Sequence, residues 1–124
     1  MSWIKAATSH SIGKTSEAFA KQYLIEQGLS FIEQNVHCRQ GEIDLVMQDG
    51  DTLVFVEVKY RKNSQFGGAI AAVSKVKQDK IKHCVAFFLH KASLNEYNTH
   101  CRFDVVALDG DISQPEVTWL KNAF

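Results

Sequence analysis

Residues 51–62 read DTLVFVEVKYRK, and this stretch predicts the central strand of the fold. Its apolar residues, at 53–56 and at 58, are typical of a strand that is buried on both faces. A charge inside such a strand is unfavourable unless it is paired or used for function. Glu57 and Lys59 therefore either mark the exposed end of the strand or have a functional role. For an isolated Glu-x-Lys the first interpretation is the default.

The segments around this strand predict an α/β fold with the element order αβββαβ. Thr15 or Ser16 can cap a first helix that Gly28 ends, and Ser74 can cap a second. Because the second helix lies between the third and fourth strands, it is the connection that a parallel pair needs. We therefore expect a mixed central sheet flanked by helices. The predicted helices are at 15–28 and 74–91, and the predicted strands are at 29–37, 41–48, 52–60 and 101–108, with a short strand at 116–120.

Size and composition fit a single domain over residues 1–124. The chain has 124 residues, of which 45% are hydrophobic and 23% charged, and its formal net charge is zero. Residues 1–12 form a polar N-terminal arm whose composition permits flexibility. No stretch reads as a membrane span or a secretory signal, and three cysteines without a C-x-x-C pair favour reduced thiols. We therefore expect a cytoplasmic protein with no membrane partner.

The hairpin before residue 60 determines which side chains share a face of the sheet. Asp49-Gly50 is a strong signal for a two-residue turn, and the register that follows from it puts Asp44 opposite Phe55. Residues two apart on a strand lie on the same face, so Asp44 becomes the diagonal neighbour of Glu57. Four charged side chains should then project from one side of the sheet: Glu42, Asp44, Glu57 and Lys59.

Carboxylates held together in this way repel each other unless a cation lies between them. Asp44 and Glu57 offer the hard oxygen ligands that Mg²⁺ or Mn²⁺ prefers. The ammonium of Lys59, on the same face, can stabilise negative charge on a phosphate oxygen. A divalent cation, carboxylates and a lysine are together the groups used to hydrolyse a phosphodiester.

The motifs resemble those of a known family. Asp44 followed by Glu57-Val58-Lys59 resembles the PD-(D/E)-x-K core of restriction-endonuclease-like nucleases, with Ile43 in place of the proline. The segments GKTSEAFAKQYL, GEIDLV, LVFVEVKYRK, FGGA and RFDVV, within residues 13–107, resemble the YraN-like family of small bacterial proteins. This resemblance implies a restriction-endonuclease-like fold and a role in nucleic-acid cleavage or binding.

The resemblance also implies roles for individual residues. Asp44 and Glu57 would be metal ligands, with the carbonyl of Val58 as a third, and Lys59 would be the catalytic lysine. Glu17 matches a glutamate that related junction-resolving nucleases use on their first helix. From its position alone, near the predicted N-terminus of that helix, Glu17 would instead complement the helix dipole.

Basic residues are concentrated directly after the predicted site. Arg61 and Lys62 continue the strand beyond it and are our candidates for phosphate contacts. Lys75 and Lys77, at the start of the second predicted helix, either add to this surface or belong to a solvated helix face. Nucleic acid, in particular DNA, is the expected partner.

Three functions remain open from the sequence. The first is a magnesium- or manganese-dependent endonuclease that acts on DNA, with branched or structured DNA among its candidate substrates. The others are a non-catalytic nucleic-acid-binding module and a protein-interaction domain, which the zero net charge keeps open. A small nuclease often needs a second copy to cut both strands, so a homodimer is also compatible with the first function.

Overall fold

The computed structural model describes residues 9–63, 74–95 and 97–124, with side chains from residue 12 onward. The strand order in the sheet is β1-β2-β3-β4-β5, in which β3 and β4 are parallel and the other neighbours are antiparallel. The predicted αβββαβ order and mixed sheet are therefore confirmed. The FGGA motif at 66–69 lies outside the described residues. The elements are α1 (Ser9–Glu26), β1 (Ser30–Cys38), β2 (Gly41–Asp49), β3 (Thr52–Arg61), α2 (Lys75–Lys91), β4 (Cys101–Asp109) and β5 (Glu116–Leu120).

The two helices cover opposite faces of the sheet. Ala20 and Leu24 of α1 pack in one apolar cluster with alternate residues of β2 and β3, such as Met47 and Val56. On the other face α2 packs against Val46 and Phe55, with Ile81, Cys84, Val85 and Leu89 turned inward. Burying each of the larger side chains contributes about 1.5–3 kcal/mol. The central strands are thus held between two layers, and their ends are fixed in position.

The first helix begins earlier than the sequence predicted. Thr15 and Ser16 were expected to cap it, but α1 already includes Ser9, so residues 9–12 of the predicted arm are helical. Ser16 is buried, and its hydroxyl donates to the carbonyl of Gly13 at 2.9 Å within the helix. The Ser16 side chain thus bonds within α1 and does not cap its N-terminus. Glu17 therefore lies inside the helix rather than in its first turn.

The second helix begins where the sequence predicted. The Ser74 side chain accepts a hydrogen bond from the backbone N–H of Lys77 at 3.1 Å, which caps α2. Val76, in the first turn of α2, is 65% exposed. The buried face of α2 begins with Ile81, five residues further on. The first turn of α2 is therefore open to solvent and to the edge of the sheet.

A disulfide ties the end of β1 to α2. Cys38 and Cys84 are bonded, with 5.4 Å between their Cα atoms, whereas Cys101 retains its thiol. The prediction of three reduced thiols is therefore wrong for two of them. Their 46-residue separation gave no sequence signal, because only the fold brings them together.

Within the part of the chain that the structure describes, no helix is both long and apolar enough to cross a membrane.

Candidate metal centre

The candidate site lies where β2 separates from β3. Their pairing runs from Asp49 opposite Thr52 to Leu45 opposite Val56 and is not continued beyond Leu45. Continuing the same register puts Asp44 opposite Glu57, not opposite Phe55 as predicted. The predicted register was wrong by two residues because Gly50, with φ of +62°, begins the two-residue loop rather than ending it. A shift of two keeps the alternation of faces, and Asp44 remains close enough to Glu57 for their charges to interact.

A local distortion of β1 and β2 turns Asp44 towards the gap. Asn35 has a left-handed φ of 52° and lies between the pairs Gln34–Leu45 and Val36–Ile43. Leu45 packs in the cluster under α1, but Ile43, two residues away, packs in the cluster under α2. The strand therefore rotates at Asp44. Asparagine tolerates positive φ better than most residues, and its position fits this twist.

The Asp44 side chain accepts a hydrogen bond that a backbone carbonyl of β2 would accept in a continuous ladder. The N–H of Val58 donates to Asp44 Oδ2 at 2.8 Å. Burial raises the pKa of Asp44 to about 8, with a further rise from the charge of Glu57 and an opposing effect of the Val58 bond. Without a bound cation, Asp44 is thus largely protonated at neutral pH.

Three carboxylates from two elements, α1 and β2, meet in this gap. Glu17 lies on α1, and Glu42 and Asp44 lie on β2. Each of the three residues has one carboxylate oxygen within 4.8 Å of an oxygen of the other two. The amide nitrogen of Asn35, in the orientation that satisfies its neighbours, donates to Glu17 Oε1 at 2.8 Å and to Glu42 Oε1 at 3.1 Å. Burial raises the pKa of Glu17, as do the charges of Glu42 and Glu57. We call Glu17, Glu42 and Asp44 the carboxylate cluster.

Glu57 lies beside this cluster but is held by two lysines. Its side chain is 5% exposed, and its Oε1 lies 3.4 Å from Lys59 Nζ and 2.5 Å from Lys77 Nζ. Burial lowers the pKa of Lys59, as does its contact with Lys77. For Lys77, burial opposes the rise, but its hydrogen bond with Glu57 raises the pKa above the ordinary lysine value. Glu57 is thus neutralised by ammonium groups from β3 and α2.

Open clefts flank the centre on both sides. One cleft of about 330 Å³ lies between Glu42 and the first turns of α2, and Lys77 and Lys80 line it. The other, of about 400 Å³, lies beside Glu17, and Lys14 and Lys21 of α1 line it. The acidic centre is therefore approached through lysine-lined clefts from each face of the sheet.

Of the four residues predicted to contact nucleic acid, three are exposed and one points into the candidate site. Arg61 and Lys62 are exposed at the end of β3, as expected for the strand end. Lys75 is also exposed and forms an ion pair with Asp79 at 3.1 Å on the outer face of α2, whereas Lys77 points into the centre. Among these four residues, only Lys77 contacts the site, and the roles of the other three stay predictions.

The sequence did not single out several residues that the fold adds to the site. Glu42 was expected on the face of Asp44 but was not proposed as a ligand, although the spacing in GEIDLV contains that signal. Lys14 and Lys21 were not considered either, since only the packing of α1 brings them to the centre. The positive φ of Asn35 has no sequence signal beyond the tolerance of asparagine for it.

Nearly the whole chain is similar to proteins that share one family name. The sequence model described as "Uncharacterised protein family UPF0102" matches residues 16–108. A UPF0102 protein of Colwellia psychrerythraea is 67% identical over 120 residues, which are 97% of this chain and 93% of the relative. One from Psychromonas ingrahamii is 49% identical, with 94% and 91% covered, and one from Pseudomonas syringae is 46% identical, with 98% of both covered.

Proposed function

The chain belongs to the uncharacterised protein family UPF0102, the YraN-like family that its motifs resemble, and from this premise we propose that it is a metal-dependent nuclease that hydrolyses phosphodiester bonds in DNA. The names of the relatives state no activity, so the proposal depends on the site itself. The observation that carries it is the convergence of Glu17, Glu42 and Asp44 in the gap between β2 and β3, with Glu57 and Lys59 beside them.

The residues of this gap fit a divalent cation. Three carboxylate oxygens within 4.8 Å of one another are hard ligands of the kind that Mg²⁺ and Mn²⁺ prefer. The raised pKa of Asp44, caused first by burial and then by the charge of Glu57, supports this assignment, because a bound cation would favour the ionised carboxylate. Glu57 would complete the ligand set from the opposite strand.

Val58 supports the same assignment through its backbone. Its N–H points across the gap to Asp44, and in an extended strand the carbonyl of a residue points to the same side as its N–H. The carbonyl of Val58 is therefore directed at the side of β3 from which β2 has departed. A carbonyl oxygen there suits the third ligand position that the family resemblance implies.

Lys59 is the residue we assign to charge stabilisation. When bound, Mg²⁺ or Mn²⁺ would supply Lewis acidity towards a phosphodiester. The Lys59 ammonium, held 3.4 Å from Glu57, would lie at the edge of that centre and stabilise the negative charge that develops on phosphate oxygens. Its lowered pKa also makes its proton easier to release to a neighbouring group.

The flanking clefts favour a polyanionic chain as the substrate. Lys77 and Lys80 line the cleft on the α2 side, and Lys14 and Lys21 line the cleft on the α1 side. A nucleic acid crossing the centre would meet ammonium groups before and after the phosphate that reacts, and such contacts position the backbone without reading its sequence. Branched or structured DNA is the first substrate class to test.

A metal-supplemented cleavage assay on branched, single-stranded and duplex DNA, with matched RNA, tests the proposal. The wild-type protein should cut at least one DNA substrate with Mg²⁺ or Mn²⁺ and lose this activity in EDTA. Lys59→Ala and Asp44→Asn should abolish cleavage, whereas Asp51→Asn, on the exposed hairpin loop, should not. Salt-dependent DNA binding without cleavage would instead support a non-catalytic binding module.

A further inference from the structure

The ammonium group of Lys77 lies in a position that the dipole of α2 disfavours. It lies in the first turn of α2, where the helix dipole disfavours cations, and that turn contains no acidic residue. Its ammonium nevertheless reaches Glu57 and contacts Oε1 at 2.5 Å, closer than Lys59 from the same strand. The contact indicates that buried Glu57 requires a counter-ion that Lys59 alone does not supply.

The same contact accounts for the position of Glu57 relative to the carboxylate cluster. Glu17, Glu42 and Asp44 have oxygens at the mutual spacing of metal ligands, and Glu57 is not part of that group. Glu57 is close enough to raise the pKa of both Asp44 and Glu17, but its carboxylate is turned to the two lysines. An ammonium on Glu57 and a divalent cation bound to the same oxygen repel each other.

We propose that Lys77 is the resident counter-ion of Glu57 in the metal-free protein, and that a divalent cation displaces it when Glu57 joins the carboxylate cluster. This inference rests on the proposed metal centre. Once displaced, the Lys77 ammonium enters the cleft that it shares with Lys80. There it is free to contact a substrate phosphate. Binding of the cation to the carboxylates would thus also release a lysine for phosphate binding.

Lys77 is better suited to this exchange than Lys59. Its side chain is 39% exposed, whereas that of Lys59 is 22% exposed, and it extends from a helix turn that borders an open cleft. Lys59 is fixed by β3, which pairs along its length with β4. Lys77 can therefore leave Glu57 by side-chain rotation alone, without any change in the sheet.

Calorimetric titration with Mn²⁺ tests the exchange on the full-length protein. If a cation must displace Lys77, Lys77→Met should bind Mn²⁺ about fivefold more tightly than wild type, as expected for loss of a partly buried competing ion pair. Lys77→Gln should behave in the same way, which guards against an effect of the methionine side chain. Lys75→Met is the matched control, because Lys75 lies on the same turn but pairs with exposed Asp79, and it should bind as wild type does.

The outcomes separate this inference from the proposed function. Equal or weaker Mn²⁺ binding by both Lys77 variants, with clear binding by wild type, would overturn the displacement and leave the metal centre intact. No binding by wild type would overturn the metal centre and the exchange together. Thermal unfolding gives a second readout: without metal the Lys77 variants should melt below wild type, and the increase in Tm on adding Mn²⁺ should be larger in them.

Discussion

The backbone N–H of Val58 donates a hydrogen bond of 2.8 Å to Asp44 Oδ2, at the point where β2 leaves β3. The side chain of Asp44 thus replaces the ladder partner that Val58 would have in a continuous sheet. This bond holds a half-buried carboxylate beside Glu57 and the carboxylate cluster. The same bond links the stability of the hairpin to the chemistry of the centre, and the two effects can be separated by substitution.

Asp44→Asn and Asp44→Ala should differ in stability. Asparagine keeps an oxygen that can accept from Val58 and cannot acquire the charge that burial and Glu57 disfavour. We expect it to be as stable as the metal-free wild type or more so. Alanine leaves the Val58 N–H without its partner, which should lower the free energy of unfolding by about 1–3 kcal/mol. Urea unfolding of the three proteins in EDTA checks this, and equal losses in both variants would contradict it.

The metal-free protein should lose stability as the pH rises. The pKa of Asp44 is about 8 in the folded protein, against an ordinary value of 3.8, so the folded state binds more protons between these values. This stabilising contribution is complete below about pH 4 and is lost as the pH passes through 8. We expect a decrease of about 2–4 kcal/mol between about pH 5 and pH 9.

Denaturant unfolding across that pH range measures this dependence. Asp44→Asn should reduce the slope, while the raised pKa of Glu17 should leave a smaller slope of the same sign. Saturating Mg²⁺ should also reduce it, since a bound cation favours the ionised carboxylate. A slope in wild type that Asp44→Asn leaves unchanged would show that Asp44 is not the titrating group.

Asp104 should prove a structural carboxylate, in contrast to Asp44. It is fully buried, and both of its oxygens accept from Arg102 at 2.9 Å. Trp119 Nε1 and the N–H of Asn122 also donate to it at 2.9 Å. Because Asp104→Asn would leave the Arg102 charge without its buried partner, we expect a loss of about 3–5 kcal/mol in unfolding free energy. Mn²⁺ affinity at a temperature where the variant is folded should equal that of wild type.

The disulfide should contribute measurably to stability. Cys38 and Cys84 close a loop of 46 residues, for which loop entropy predicts a contribution of up to about 4 kcal/mol. Unfolding with and without dithiothreitol, and of Cys84→Ser, should show this loss, whereas Cys101→Ser should keep the sensitivity to reductant. Three titratable thiols in the denatured, non-reduced protein would contradict the bond.

The sequence could predict the fold because its strongest signals are local. Apolar runs, the hairpin turn and the Ser74 cap each depend on a few neighbouring residues. Because side chains along a strand alternate between two faces, a register error of two residues leaves each side chain on its predicted face. Asp44 and Glu57 lie close enough for their charges to interact, although the predicted partner of Asp44, Phe55, pairs with Val46 instead.

The parts that the sequence did not predict depend on contacts between distant segments. The Cys38–Cys84 bond joins residues that only the fold brings together. The twist at Asn35 and the inward turn of Lys77 have the same origin. A lysine in a first helical turn resembles any other in sequence, and only its position opposite Glu57 distinguishes it from Lys75.

Counting bound Mn²⁺ by electron paramagnetic resonance tests the central claim most directly. Wild-type protein should bind at least one Mn²⁺ per chain, Asp44→Asn should bind none at the same concentration, and Asp51→Asn should bind as wild type does. Mg²⁺ should compete for the same site. If wild type and Asp44→Asn bound Mn²⁺ equally, or neither bound it, the carboxylates in the gap between β2 and β3 would not form a metal centre.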